Sequence, residues 1–255
     1  MKKSLRMIIS PAKKMRTDTE FLPWKDLPEF LSSSEELLKI LQSMSYEEQK
    51  ALWKCNDQIA GLNMERIRHM NLYSDLTPAV LAYEGIQYQY MAPGVFTDRD
   101  YAYLQNHLRI LSGFYGVLKP FDGIKPYRLE MQAKLRVGKA KDLYDYWGSR
   151  IADSLLRETD CIINLASKEY SIIVSKYLPE EVRFITCVFG EEIGGKIREK
   201  GTKCKMARGE MVRFMAENQI DDPDQMKSFD RLYYRFSDKY SSDKKFVFLE
   251  EATDS

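Results

Sequence analysis

The sequence predicts one mixed α/β domain over residues 1–255, with helices and strands interleaved outside a regular βαβα rhythm. Three observations lead there. A short apolar run in CIINLAS (161–167) has the length and continuity of a buried strand, and the apolar residues at Leu5 to Ile9 suit a short first strand. Between them lie longer segments with apolar residues at helical spacings. No linker, internal repeat or low-complexity tract divides the chain.

In chain order, Leu5 to Ile9 make a first strand, broken by Ser10 and Pro11, so that SPAKK leaves Lys13 and Lys14 at a strand end. Residues 28–60 read as helical, with Leu31, Leu37, Leu38 and Leu41 as apolar positions, and Ser45 with Glu48 spaced as a capping box. IAGLNMERIRHM reads as a helix, a break at Gly61 and a further helical turn. Val80 to Tyr83 read as an apolar strand, and a helix from about Asp98 runs into an apolar end at Leu108–Leu111. The strand in CIINLAS leads into a helix over KEYSIIVSKYL. Two strands flank a Gly194-Gly195 turn, and KMARGEMVRFMAENQI forms a helix with Met211, Val212, Phe214 and Met215 inward. LYYRFSDKYSSDKKFVFLEE closes the chain as a hairpin.

Composition excludes several classes. A hydrophobic fraction of 44% with 30% charged residues is that of a soluble globular protein. No run of about 18 apolar residues suits a membrane helix, and the apolar core of MKKSLRMIISPAKK is too short for a signal peptide. The expectation is a cytoplasmic protein with no membrane partner. Cys55, Cys161, Cys187 and Cys204 stand singly, which suits reduced, inert thiols. Cys204 lies between Lys203 and Lys205, which would lower its pKa and leaves a redox role open. Two distant histidines, His69 and His107, oppose a His/Cys metal site, and GxGxxG and GKS motifs are absent. No metal and no cofactor are expected. The net charge of +1 excludes a uniformly basic surface and leaves room for a local basic groove.

Four segments could carry chemistry. ILSGFYGVLKPFDGIKPYRLEM (110–131) packs three glycines, two prolines, four Tyr or Phe rings and five charged residues into 22 positions. Ser112, Gly113 and Gly116 permit tight turns, and Tyr115 supplies a ring. Alternation puts Tyr127, Leu129 and Met131 on one side of an extended segment and Arg128 and Glu130 on the other; a half-buried strand explains this equally. In NLASKEY, Ser167 suits a helix N-cap and Glu169 the positive end of its dipole, with Lys168 beside backbone N–H groups able to hold an anion. KCKMARGEMVR concentrates Lys203, Lys205, Arg208 and Arg213, either a solvated face or a phosphate site. Gly61-Leu62-Asn63 could turn a helix-hairpin-helix, Asn63 standing where a second glycine is usual, or be a plain helix pair with a glycine stop.

SPAK, LSGFYGVLKPFDGIKPYRLEM, KDLYDYW, INLASKEY and ARGEMVRF occur here in the order found in the YaaA family of peroxide stress proteins, which the chain resembles from Ile8 to the terminal FVFLEE. That resemblance implies a single α/β domain, called the cantaloupe fold, and cytoplasmic protection against hydrogen peroxide by limiting free iron and DNA damage. It also implies DNA binding through a positive cleft and a helix-hairpin-helix. By position, the family's characteristic residues fall on Ser10, Pro11, Ala12, Lys13, Ser112, Gly113, Tyr115, Gly116, Tyr127, Arg128 and Glu130. They continue at Asn164, Ser167, Glu169, Tyr170, Lys205, Ala207, Arg208, Gly209 and Arg213. The chain departs from the pattern at Asn63 and in its near-neutral charge.

Two functions compete. In the first, Lys13, Arg128, Lys168, Lys205, Arg208 and Arg213 contact DNA phosphates without regard to sequence, and Gly61 to Asn63 grip the backbone. In the second, Glu130 and Glu169 act on a nucleotide or nucleobase ligand, cleaving an N-glycosidic bond beside a stacking Tyr115 or Tyr127. Dedicated iron handling is disfavoured by the scattered histidines and cysteines.

Overall fold

RMII forms the strand Arg6–Ile9, in which Met7, Ile8 and Ile9 are fully buried. Both its edges are paired, by Leu108–Ser112 on one side and Cys161–Leu165 on the other, each parallel to it. In the computed structural model, which describes residues 4–251, the parallel sheet continues through Arg183–Ile193 and Lys245–Glu250. Antiparallel Gly116–Leu118 and Tyr234–Phe236 end the sheet, and Lys196–Arg198 folds back on Arg183–Ile193. Cys161–Leu165 and Leu108–Ser112 are buried at every position. Alternate side chains point to opposite faces, so burial at every position means that both faces are covered.

Numbered along the chain, the five parallel strands stand in the order 2-1-3-4-5. The chain therefore builds outward in opposite directions from the junction of Arg6–Ile9 with Cys161–Leu165. At such a switch the segments leaving the carboxyl ends of the two strands part, and a crevice opens between them.

The mixed α/β class holds, and most elements fall where the sequence puts them. Residues 28–60 resolve into helices Leu31–Ser43, Tyr46–Trp53 and the start of Asp57–Arg68. The Ser45 capping box is formed: Glu48 N donates to Ser45 Oγ at 3.3 Å and Ser45 N to Glu48 Oε2 at 2.8 Å. The Gly194-Gly195 hairpin and the closing hairpin are both present. The apolar end at Leu108–Leu111 is a strand, because Leu108 leaves helical geometry (ψ 138°) and its neighbours pair with Arg6–Ile9.

Two expectations fail. Val80 to Tyr83 is no strand: Ala79–Ala82 makes one helical turn, and only Tyr83–Glu84 pairs, with Lys14–Met15. A four-residue apolar run does not distinguish the two, and the good helix formers Ala79, Leu81 and Ala82 decide it. Nor does a helix-hairpin-helix turn exist at Gly61 to Asn63, since Asp57–Arg68 is one continuous helix. Asn63 is buried and donates Nδ2 to Ile59 O at 2.8 Å, one turn back, which ties it to the helix. The chain bends earlier, at Lys54 (φ 46°), between Tyr46–Trp53 and Asp57–Arg68.

The 110–131 stretch seats one backbone against another. A Cβ on Gly113 would meet Leu129 O at 2.5 Å, so only glycine lets the extended segment through Leu129 and Glu130 lie there. Gly116 (φ 76°) opens the Gly116–Leu118 strand against the Trp147 ring. Ser112 Oγ accepts from Phe114 N at 3.1 Å and Tyr115 N at 2.8 Å. With both lone pairs taken, its proton points to Tyr127 Oη, 2.6 Å away, and Tyr127 meets Tyr83 Oη at 2.9 Å. Asp122 accepts Lys119 N at 2.8 Å, and burial pushes its carboxyl up to about 7 despite the opposing pull of that bond and of Lys119 and Arg109.

Two measurements test this account. Gly113→Ala should lower the unfolding free energy by about 2 kcal/mol through overpacking. Gly61→Ala, mid-helix with nothing within 4 Å of the added methyl, should raise it by about 0.5–1 kcal/mol; a loss at Gly61 would restore a turn there. Because Asp122 binds its proton more tightly folded than unfolded, its contribution is fully present below the ordinary carboxylate pKa and is lost as pH rises through about 7. Asp122→Asn should flatten the denaturation midpoint across that window, and an unchanged pH profile would refute the assignment.

Candidate functional site

A pocket of about 440 Å³ occupies the switch point. Its wall begins with the loop after the first strand, Ser10 to Lys14, and the segment after the third, Ser167, Glu169 and Tyr170. The two join directly: Ser167 N donates to Ser10 Oγ at 2.9 Å, and Ser10 Oγ donates to Ser167 Oγ at 3.2 Å. Ser167 does stand at the N-cap of Lys168–Ser175, but its hydroxyl makes no capping bond. The sequence-based cap is thus corrected, since Ser10 competes for that oxygen. Tyr88 Oη donates to Ser10 O at 2.9 Å, tying in the segment Glu84 to Tyr88. Tyr127 to Glu130, and Lys205 with Arg208 from the helix Gly201–Glu217, complete the lining.

PYRLEM keeps its alternation without a strand partner: Tyr127, Leu129 and Met131 are buried in the core, and Arg128 and Glu130 face the pocket. Arg128 Nη2 and Lys13 Nζ each stand 3.2 Å from Glu130 Oε1. Arg128 and Glu130 are only 10% and 12% exposed in their side chains, whereas Lys13 is 64% exposed. The second carboxylate has a different environment. Burial raises the Glu169 pKa and the Glu130 charge adds to the shift, against the bond from Gln132 N at 3.4 Å and the charge of Lys13. Five cations (Lys13, Lys14, Arg128, Lys205, Arg208) face three carboxylates (Glu84, Glu130, Glu169). Lys14 pairs with Glu84 at 3.1 Å and Arg208 with Glu199 at 3.6 Å. Among the described residues no carboxylate lies in ion-pair range of Lys205. The arrangement can hold an anion at its mouth and has two carboxylates in unlike settings within.

Thus Lys13, Tyr127, Arg128, Glu130, Ser167, Glu169, Lys205 and Arg208 come together from four distant segments. Others do not join them. Lys168 opens onto a separate cavity of about 480 Å³ with Ile172, Ile173 and Tyr177. Arg213 turns to Glu217 at 2.8 Å. Gly61 and Asn63 belong to the Asp57–Arg68 helix. Ser112, Gly113, Tyr115 and Gly116 lie in the core beneath the pocket wall, and Tyr115, 1% exposed, accepts Lys125 N at 3.1 Å and offers no ring to a base. Cys204 is likewise corrected: burial raises its pKa to about 11, and its Sγ donates to Phe189 O at 3.1 Å, while Lys203 turns to Glu191 and Glu250.

Sequence reasoning missed Glu84, Gln87 and Tyr88. Their segment follows the run read as a strand: Glu84 pairs with Lys14 in a two-residue strand, and Gln87 and Tyr88 lie in the helix Ile86–Met91. The only signal was the odd mixture of YEGIQYQY, polar and aromatic without a clean period.

The ion pairs make a testable contrast. Arg128→Met, which strands a nearly buried carboxylate with only an exposed partner, should cost about 3 kcal/mol of stability. Lys13→Ala should cost under about 1 kcal/mol. Equal losses in chemical denaturation would show that Arg128 holds Glu130 no more firmly than Lys13 does.

Residues 5–240 match the family described as Peroxide stress protein YaaA. The chain is 57% identical to a UPF0246 protein of Agathobacter rectalis over 244 residues, which is 96% of this chain and 98% of that one. A UPF0246 protein of Lachnoclostridium phytofermentans is 55% identical over 246 residues, 96% of each chain. One of Desulfitobacterium hafniense is 52% identical over 246 residues, 96% of this chain and 98% of the other. The motifs that build the pocket wall all lie within the matched span, and the chain belongs to the YaaA family of peroxide stress proteins.

Proposed function

We propose that this protein works in the cytoplasm as a peroxide-protection protein that binds DNA at the mouth of the pocket, shielding it from iron-dependent oxidative damage. The observation that carries the reading is the meeting of Lys13 and Lys14 with Lys205 and Arg208, from segments almost 200 residues apart, on one rim. Lys13 and Lys14 are 64% and 80% exposed, so both ammonium groups can reach a phosphate without prior desolvation. Contacts of this kind track the backbone and ignore base sequence. Any fall in cellular free iron is indirect on this reading. For about four phosphate contacts, affinity for duplex DNA should fall about 100-fold between about 50 and about 200 mM salt. Lys205→Ala should reduce the slope of log affinity against log salt by about 1. An affinity indifferent to salt, measured by fluorescence anisotropy, would sink the proposal.

A second reading has its own support. Hydrolysis of an N-glycosidic bond needs one carboxyl group that keeps its proton and one that stays ionised. Glu169, its pKa raised by burial, suits the acid that protonates the departing base. Glu130, held by Arg128 and Lys13, suits the carboxylate that activates water for attack on the sugar carbon. Release of a base from nucleosides or damaged DNA, lost in Glu130→Gln with the fold intact, would establish it. No base release across such a panel would leave the binding reading alone.

A further inference from the structure

The strongest unexplained feature is Gln87. It lines the pocket, is 7% exposed, and buries its side-chain nitrogen Nε2 without a hydrogen-bond partner. An unpaired buried amide donor is costly and is normally matched by protein, water or ligand. The backbone carrying it is closely packed. The helix Ile86–Met91 packs on Gly201–Glu217, and a Cβ on Gly209 would meet Gln87 O at 2.1 Å and Met91 N at 2.9 Å. Gly209 thus presses the Gln87 backbone against the long helix and fixes the amide over the cavity.

Two further donors point the same way. Arg128 Nε and Arg208 Nε are buried without a partner, and both residues line the same cavity. Lys205 stands next to Arg208 on the rim. Around these groups lie the nearly buried rings of Tyr88, Tyr127 and Tyr170, which give the cavity apolar walls. The volume of about 440 Å³ is within the range for a small-molecule site and too small for a duplex.

We infer that the pocket takes a single nucleotide unit, with its phosphate at Lys205 and Arg208 and its base edge read by Gln87. An amide donor beside an acceptor is the side-chain group that matches the edge of a base, and arginine and lysine match phosphate. The inference deepens the nucleic-acid reading and rests on it for the class of ligand. The unit could be a free nucleotide or an unstacked nucleotide of a single strand, which share the same chemistry.

Calorimetric titration with inorganic phosphate, the four nucleoside monophosphates, a single-stranded oligonucleotide and a DNA duplex tests it, on the wild type and on Gln87→Leu. The wild type should distinguish the best from the worst base by about 10-fold or more. Gln87→Leu should bring the four within about 2-fold of one another while melting no lower than the wild type, since it removes an unpaired buried donor. Should that variant fail to fold, Gln87→Asn, one methylene shorter, gives the same readout. Equal binding of phosphate and every nucleotide, or discrimination unchanged by the substitution, overturns the inference. Salt-dependent oligonucleotide binding with no nucleotide bound overturns it too and leaves the DNA reading standing. Selective binding of nucleotides with no oligonucleotide or duplex bound upholds the inference, makes the free nucleotide the ligand, and removes the DNA reading instead.

Discussion

The bond from Ser167 N to Ser10 Oγ joins the two segments that leave the sheet in opposite directions, and the pocket exists because they do. Parallel strands require crossovers, and the order of those crossovers puts the first and third strands side by side with diverging exits. Ser10 satisfies a backbone donor that the departing third segment would otherwise bury unpaired. It thereby ties down the start of Lys168–Ser175 and with it Glu169. Tyr88 binds the carbonyl of the same Ser10, so a third segment is hung on the same residue.

Two glycines set the remaining walls by close backbone approach. Gly113 admits the segment that carries Arg128 and Glu130, and Gly209 admits the one that carries Gln87. In both places the pocket-lining side chain sits on the backbone that the glycine lets in, so a methyl group would displace the pocket wall without touching it. The hydroxyl chain Ser112–Tyr127–Tyr83 supports the first of these contacts from the core. These core residues are therefore supports beneath the pocket, and the charged residues above them form its surface.

Much of this was legible in the chain. The apolar residues Met7–Ile9 and the run Cys161–Leu165 announce buried strands, and the alternation in PYRLEM separates Arg128 and Glu130 from their inward neighbours. The motif order pointed to the family. What misled was local chemistry with two solutions. Gly61 and Asn63 both tolerate a turn, yet a helix interior can hold them when Asn63 bonds one turn back and nothing crowds Gly61. The lysines beside Cys204 were near in sequence, but on a helix adjacent residues diverge, and burial governs the thiol. Lys168 and Glu169 likewise part company, one reaching only the separate cavity and the other lining both.

By itself the sequence determined the mixed α/β class, the main strands and long helices, and several of the segments that line the pocket. Those properties follow from periodicity and residue type, which act over a few positions. Only the tertiary structure decided which cations meet which carboxylates, that Arg213 and Lys168 stand apart, and that Gln87 belongs with Arg128 and Arg208. Such choices depend on strand order and on which segments distant in sequence, such as those of Lys13 and Glu130, the fold brings together, which no local pattern encodes.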